Sequence, residues 1–244
     1  MKKIIAALFT LFLLITTTFA IEIDTIIDKI DANTQYDTAV AKSTMITKNT
    51  LGTTISSFTS WNRKNGDTLI EINTGIDKGQ KILRQGSSIF LFYPDAEEVI
   101  RLSGSAMKDS LMGTDFSYED LTGENTIKAR FTCELLGTEK INNTECYHIM
   151  MIAKKRTETY QRQEAWIDTK KFVALKTIVY SASGKALREM YASDIRLVSG
   201  YTVAFKIEMQ DLLKKNSTTE MTIKELKLNT PIENKLFTRE NLTW

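Results

Sequence analysis

The chain has 244 residues, with 32 Lys and Arg against 30 Asp and Glu, and its charges are scattered rather than gathered into the basic stripe that a phosphate-tracking surface needs. That argues against nucleic acid as a partner, and a single histidine, His148, leaves little for metal or triad chemistry near neutral pH. Two prolines, with Gly, Asn and Asp supplying the punctuation, suit long antiparallel strands joined by tight turns.

Residues 1–20 read as a secretory signal peptide. Lys2 and Lys3 precede an apolar run from Ile4 to Ile15 that is too short to span a bilayer comfortably, and the segment closes on Thr18-Phe19-Ala20. Cleavage is expected after Ala20, which removes Lys2 and Lys3 and leaves a formally neutral domain over residues 21–244. The first cysteine is Cys133, so no lipid anchor is expected at the new N-terminus. Ile23, Ile26, Ile27 and Ile30 then recur at helical spacing among acidic and basic neighbours, predicting a short amphipathic helix that needs a partner surface.

Everything beyond the helix reads mainly as strand. Segments are expected near residues 40–50, 54–64, 67–74, 80–86, 88–93 and 97–103, then 126–136, 145–153, 160–168, 172–180 and 185–197. Tyr201, Val203, Phe205, Ile207 and Met209 alternate cleanly with polar residues up to Asp211. In the strand that follows, the apolar parity shifts between Met221-Ile223 and Leu226-Leu228, predicting a bulge near Lys224-Glu225. The segment 103–121 breaks the strand pattern. It reads as a lid or plug over a curled sheet, or alternatively as a loop whose apolar residues complete an ordinary core. Its neighbours Asp115, Glu119 and Asp120 form an acidic cluster, either a latch or partner contact or a solvated turn.

The cysteines pose a conflict. An oxidising compartment favours a disulfide between Cys133 and Cys146. If Asn142-Asn143 is a two-residue primed turn, however, Glu139 faces Cys146 and Cys133 faces Ile152, beyond disulfide reach unless a longer loop forms around Gly137. His148, beside Tyr147 in an apolar strand, reads as a satisfied structural residue. No nucleophile elbow, CxxC, HExxH or phosphate-cradling Gly loop is present, so no catalytic residue, metal or cofactor is expected.

Phe92-Tyr93-Pro94, the strand through Val99-Ile100-Arg101, and above all Met112-Gly113-Thr114-Asp115-Phe116-Ser117-Tyr118-Glu119-Asp120-Leu121 resemble the signature of the LolA-like outer-membrane lipoprotein-sorting proteins. The likeness continues through Trp166-Ile167-Asp168, Ser183-Gly184, Gly200-Tyr201, Met209 to Asp211, Thr222, Asn229, and Phe237-Thr238 with Leu242. It implies a mainly β (α+β) fold: an incomplete, half-open antiparallel β-barrel of about eleven strands with an N-terminal helix and a helical lid or plug. It also implies an apolar cavity that shields lipid or lipoprotein acyl chains in the periplasm. The chain is longer than the best-studied carrier of that group, and no local motif assigns that carrier's lid-latching arginine here. The protein is expected to be a monomer, soluble in the periplasm.

The physics of such a carrier selects candidates. A chain of about sixteen carbons, at ~0.8 kcal/mol per methylene, resists water by on the order of 12 kcal/mol and so must travel under an apolar cover. Flexible, polarizable Met side chains suit a cover that must also release its cargo. The candidate cavity and lid residues are Trp61, Phe90, Phe92, Met107, Leu111, Met112, Phe116, Met209 and Met221. The strand from Ile89 to Tyr93 is apolar on both faces and is expected to be covered on both. The competing expectation is a non-carrier adaptor subunit of an inner-membrane exporter of the resistance-nodulation type, with Trp, Tyr and Arg anchors clustered outside the cavity.

Overall fold

Period-two alternation broken by polar turns becomes one open, entirely antiparallel sheet of thirteen strands in the computed structural model, which describes residues 21–122, 126–158 and 160–243. The leader read at residues 1–20 lies outside the described residues. After helix α1 (Ile23–Ala32) come β1 (Thr38–Asn49), β2 (Gly52–Arg63), β3 (Thr68–Thr74), β4 (Lys81–Gln85), β5 (Ser88–Tyr93) and β6 (Glu98–Leu102). A crossing segment follows, with 3-10 turns at Gly104–Lys108 and Leu111–Gly113 and short helices α2 (Tyr118–Thr122) and α3 (Ile127–Arg130). The chain then runs through β7 (Phe131–Ile141), β8 (Thr144–Ala153), β9 (Arg162–Asp168), β10 (Ala174–Tyr180), β11 (Ala186–Val198), β12 (Tyr201–Asp211) and β13 (Thr218–Leu228), ending in 3-10 turns at Asn234–Phe237 and Glu240–Leu242.

The order is β6-β5-β4-β3-β2-β1-β13-β12-β11-β10-β9-β8-β7, so the first and last strands pair in the middle and β6 and β7 are the free edges. Each strand segment expected from the sequence has its counterpart. The count exceeds the eleven or so implied by the family likeness, and β7 begins later than expected because 127–130 form α3. The bulge expected near Lys224 is present: Lys42 pairs with Glu225 and Ser43 with Ile223.

Asn142 and Asn143 both have positive φ, 46° and 66°, the primed turn expected there. A second bulge at Leu136 then shifts the register, so Cys133 faces Met151 rather than Ile152. Cys146 lies further along β8 and on the opposite face, and both cysteines are free thiols. Burial pushes the Cys133 thiol up to about 11.

The curled sheet has an inner face with two covers. Ile26 and Ile27 of α1 pack with Phe131, Ile149, Met151 and Ile167 on β7–β9. The Asp31 carboxylate at the end of α1 accepts the Ile127 and Lys128 N–H groups at 2.8 and 3.0 Å, fixing the start of α3. Over the other half lies the crossing segment, whose Leu111, Phe116 and Tyr118 pack against Phe58, Ile70, Ile82, Ile89 and Leu91. The segment covers the sheet as the plug reading expects, and its apolar residues complete the core as the alternative reading expects; we call it the plug. The outer face of β2–β5 is capped by the C-terminal turns, where Phe237 and Leu242 cover Leu69 and Leu83. Both faces of β5 are thus covered, which accounts for its unbroken apolar sequence.

Candidate functional site

The signature decapeptide is the densest piece of local engineering in the chain. Met112 (φ 47°) and Gly113 (φ 73°) reverse the backbone in the left-handed region, and the turn drops Phe116 into the core at 2% exposure. Ser117 caps α2: the Asp120 N–H bonds its Oγ at 3.1 Å, while the Ser117 N–H bonds the Asp120 carboxylate at 2.7 Å, a reciprocal capping box.

Asp115 and Glu119 are buried, Asp120 is partly so, and all three are tied to other elements of the fold, which overturns the solvated-turn alternative. Asp115, fully buried, bonds the Thr219 hydroxyl at 2.9 Å and lies 3.7 Å from Lys214. Glu119 pairs with Arg84 at 2.7 Å and lies 3.8 Å from Arg130. Asp120 accepts from Tyr160 at 2.8 Å and from Arg188 at 3.3 Å. Burial, then the Asp120 charge, pushes the Tyr160 phenol well above its ordinary value, so it stays protonated as a donor. Burial works against the Arg188 charge, but Tyr160, Asp120 and Asp211 outweigh it and hold the guanidinium firmly protonated. The plug is therefore fastened by charge-assisted hydrogen bonds at its polar end and by aliphatic packing along its length.

Between the plug and β9–β13 the packing stops short of filling the concave face. A cavity of about 270 Å³ is walled by Phe116 and Leu121 of the plug side and by Val179, Met190, Ile207, Met209 and Met221 of the sheet. Its rim is polar, with Glu119, Arg130, Tyr160 and Arg188. A second cavity of about 150 Å³ opens toward β1 and β2, where inward Ala39, Ala41 and Ser43 are too small to fill the space under the curl. Leu121 and Met221 line both cavities.

The candidates sort by face. Phe116, Met209 and Met221 line the larger cavity. Leu111, Met107 and Met112 belong to the plug and pack into its apolar core beside the cavity. Trp61, Phe90 and Phe92 lie on the outer face with Leu69, Leu83 and the C-terminal turns, where Arg239 stands 5.4 Å over the Phe90 ring. Their placement in the cavity is corrected by strand parity, since Trp61 pairs with Leu69 and Phe90 with Leu83, both turned outward. Sequence reasoning missed Met190, Ile207, Leu121 and the Tyr160–Arg188 pair. Ile207 was legible from its alternation with Met209, but the others needed the register of strands distant in sequence.

The cavity joins apolar walls to a charged rim on which Arg188 Nε is left without a hydrogen-bond partner, an arrangement for holding an amphiphile away from water. Among the described residues no group of three or more His, Cys, Asp or Glu side chains converges as a metal site. His148 lies on the other face, 3.1 Å from Glu139 and 3.0 Å from Glu164 and stacked on Trp166 at 4.3 Å.

An open curled antiparallel sheet with a helix on one half of its concave face and a plug on the other is the LolA-like fold. It superposes on a domain from Vibrio parahaemolyticus described as outer-membrane lipoprotein-sorting, with TM-score 0.81 and 20% identity over 90% of this chain and 97% of that one. It is similar to a DUF1329 family protein from Desulfovibrio piger, with TM-score 0.83 and 19% identity over 89% and 96% of the two chains. A LolA superfamily protein from Nitrosomonas europaea aligns with TM-score 0.77 and 22% identity over 91% and 100%. These likenesses establish the fold. The chain itself belongs to the family whose model, with the description "Uncharacterized protein", matches residues 64–244. No curated protein matches it.

Proposed function

We propose that the protein is a periplasmic carrier that takes acyl chains of a lipid or lipoprotein onto its concave face beneath the plug and moves them toward the outer membrane. The observation that carries this reading is the pair of adjoining cavities that share Leu121 and Met221 in their walls, with Met190 and Met209 beside them in the larger. The larger, about 270 Å³, falls just short of the roughly 300–1,000 Å³ usual for small-ligand sites. Joined by a shift of Leu121, the two enter that range. Loading then exchanges Phe116 and Leu121 for acyl methylenes against the same wall, like for like, so the apolar term nearly cancels and loading stays reversible. Adaptable Met contacts follow a chain without demanding one shape.

Native mass spectrometry with lipid extraction, on protein taken from the periplasm without detergent, tests the proposal. A stoichiometric lipid adduct supports it and names the cargo class. Met209→Trp and Met221→Trp fill the cavity and are expected to abolish the adduct while leaving unfolding cooperative. An adduct undiminished in both variants refutes this site, and a lipid-free wild type that also refuses added phospholipid refutes the carrier.

A second reading, an adaptor subunit of an inner-membrane exporter, draws on the outer face of β8–β11, where Trp166, Tyr180, Tyr191 and Arg162 gather as anchors of the kind found at interfaces. Trp166 is only 7% exposed there, beneath Lys176 at 4.9 Å, and Tyr191 at 38% is the accessible member. An adaptor keeps its function in the cavity-filling variants; a carrier loses it.

A further inference from the structure

The turns at the two ends of the strands differ in kind. At one rim the connections are Lys64-Asn65-Gly66-Asp67, Gly86-Ser87, Asn142-Asn143 and Ser199-Gly200, all polar or glycine. Phe172, in the fifth connection of that rim, is covered, stacked on Tyr147 and under Lys29. At the opposite rim three neighbouring hairpins present aliphatic tips to solvent: Leu51 in β1–β2 at 96% exposure, Ile76 in β3–β4 at 94%, and Leu212 and Leu213 in β12–β13 at 39% and 55%. Leu197, beside Ser199-Gly200, is also exposed at 74% on the polar rim, but there it lies within a strand end and not on a turn, whereas three neighbouring turns of the other rim carry aliphatic tips.

The tips are neighbours in the sheet. Lys48 pairs with Thr218 and Asn49 with Gly52, so the β1–β2 and β12–β13 tips stand at one height, and β3 ends opposite Ser57, which sets Ile76 back beside them. Nothing in the fold calls for aliphatic residues there, since the strands' buried faces are filled lower down by Met45, Phe58 and Ile72. The same tips carry exposed Lys48, Lys78 and Lys215, against the half-buried carboxylate of Asp77. The acidic β5–β6 turn, with Asp95 and Glu97, bounds the basic stretch. The polar mouth of the cavity faces the same way, because Arg130, Tyr160 and Arg188 sit at the ends of β7, β9 and β11 on this rim.

We infer that this rim is a membrane-contact edge, on which Leu51, Ile76, Leu212 and Leu213 enter the interface of an anionic bilayer while Lys48, Lys78 and Lys215 meet its phosphates. Interfacial binding scales with the apolar area inserted plus attraction to anionic lipid, and single aliphatics beside lysines supply both in small, reversible amounts. The inference concerns where the protein docks and stands whether or not the cavity carries cargo.

Vesicle flotation of the protein, expressed from the full chain and purified as the cell processes it, provides the test. Phosphatidylcholine vesicles with about one-third phosphatidylglycerol are expected to float it, salt to weaken the binding, and pure phosphatidylcholine to bind it less. The triple variant Leu51→Asp, Ile76→Asp, Leu213→Asp changes only exposed tips; unchanged thermal unfolding and an unchanged lipid adduct would show that fold and cavity are intact. Its binding to the anionic vesicles is expected to fall by at least about tenfold. Three outcomes overturn the inference: no flotation of the wild type, equal flotation of the variant, or wild-type self-association through these residues without flotation, which would make the rim an interface between copies.

Discussion

The two halves of the sheet follow different rules. From β2 to β5 both faces are covered, the inner by the plug and the outer by the C-terminal turns, and Leu69, Ile70, Ile82, Leu83 and Ile89 are 0–1% exposed. From β7 to β11 the inner face is only partly covered by α1, and the outer face is dressed by charged and aromatic side chains in contact with one another: Glu139, His148, Trp166, Lys176 and Glu189. A close-packed scaffold can hold a strained plug in place, and a loosely packed wall can change its contacts. The plug joins them, seated on the first half and facing the cavity against the second.

Mutations that probe each half sharpen the contrast. Breaking the fastening on the packed side is expected to cost most: Arg84→Ala strips the 2.7 Å partner from a Glu119 that is 8% exposed, which typically destabilises by about 3–5 kcal/mol. Equilibrium unfolding in urea measures it, and a loss under about 1 kcal/mol would mean that the Arg130 guanidinium, 3.8 Å away, takes over. Next comes Ile82→Ala, expected at about 2–5 kcal/mol because the site is closed on every side. Met190→Ala, at the cavity wall, is expected to cost under about 2 kcal/mol, since space already borders it. Equal losses at Ile82 and Met190 would erase the distinction between the halves.

The legibility of these features follows their range along the chain. Strand positions, the Asn142-Asn143 turn and the Lys224 bulge are written in neighbouring residues and could be read directly. The cavity is written in register. Whether Phe90 or Leu91 faces inward depends on pairings that bring β5 onto β4 and β4 onto β3, and one bulge reverses the parity, as Leu136 did for Cys133. Residues of the signature segment were recognisable as a group, but their individual roles were not. The acids there could not be told from a solvated turn until Arg84 and Arg188 from strands remote in sequence, and Lys214 from the β12–β13 connection, were placed against them.

The smallest effect tests the outer dress of the open half and has a definite sign in pH. Burial raises the Glu164 carboxyl, but hydrogen bonds from His148, Arg162 and Tyr180 outweigh it and hold the group below its ordinary value. A carboxyl lowered on folding stabilises fully above its unfolded pKa, near about 4.3, and loses that contribution as pH falls through the lower folded value. The thermal midpoint of the wild type should therefore stand modestly above that of Glu164→Gln at pH 7, with the gap closing below about pH 4. A gap that persists at pH 3 would mean that Glu164 holds β8 to β9 by packing and neutral hydrogen bonds rather than by charge. The open half would then resemble the covered one, with its outer face serving as structure instead of a solvated surface that balances its own charges.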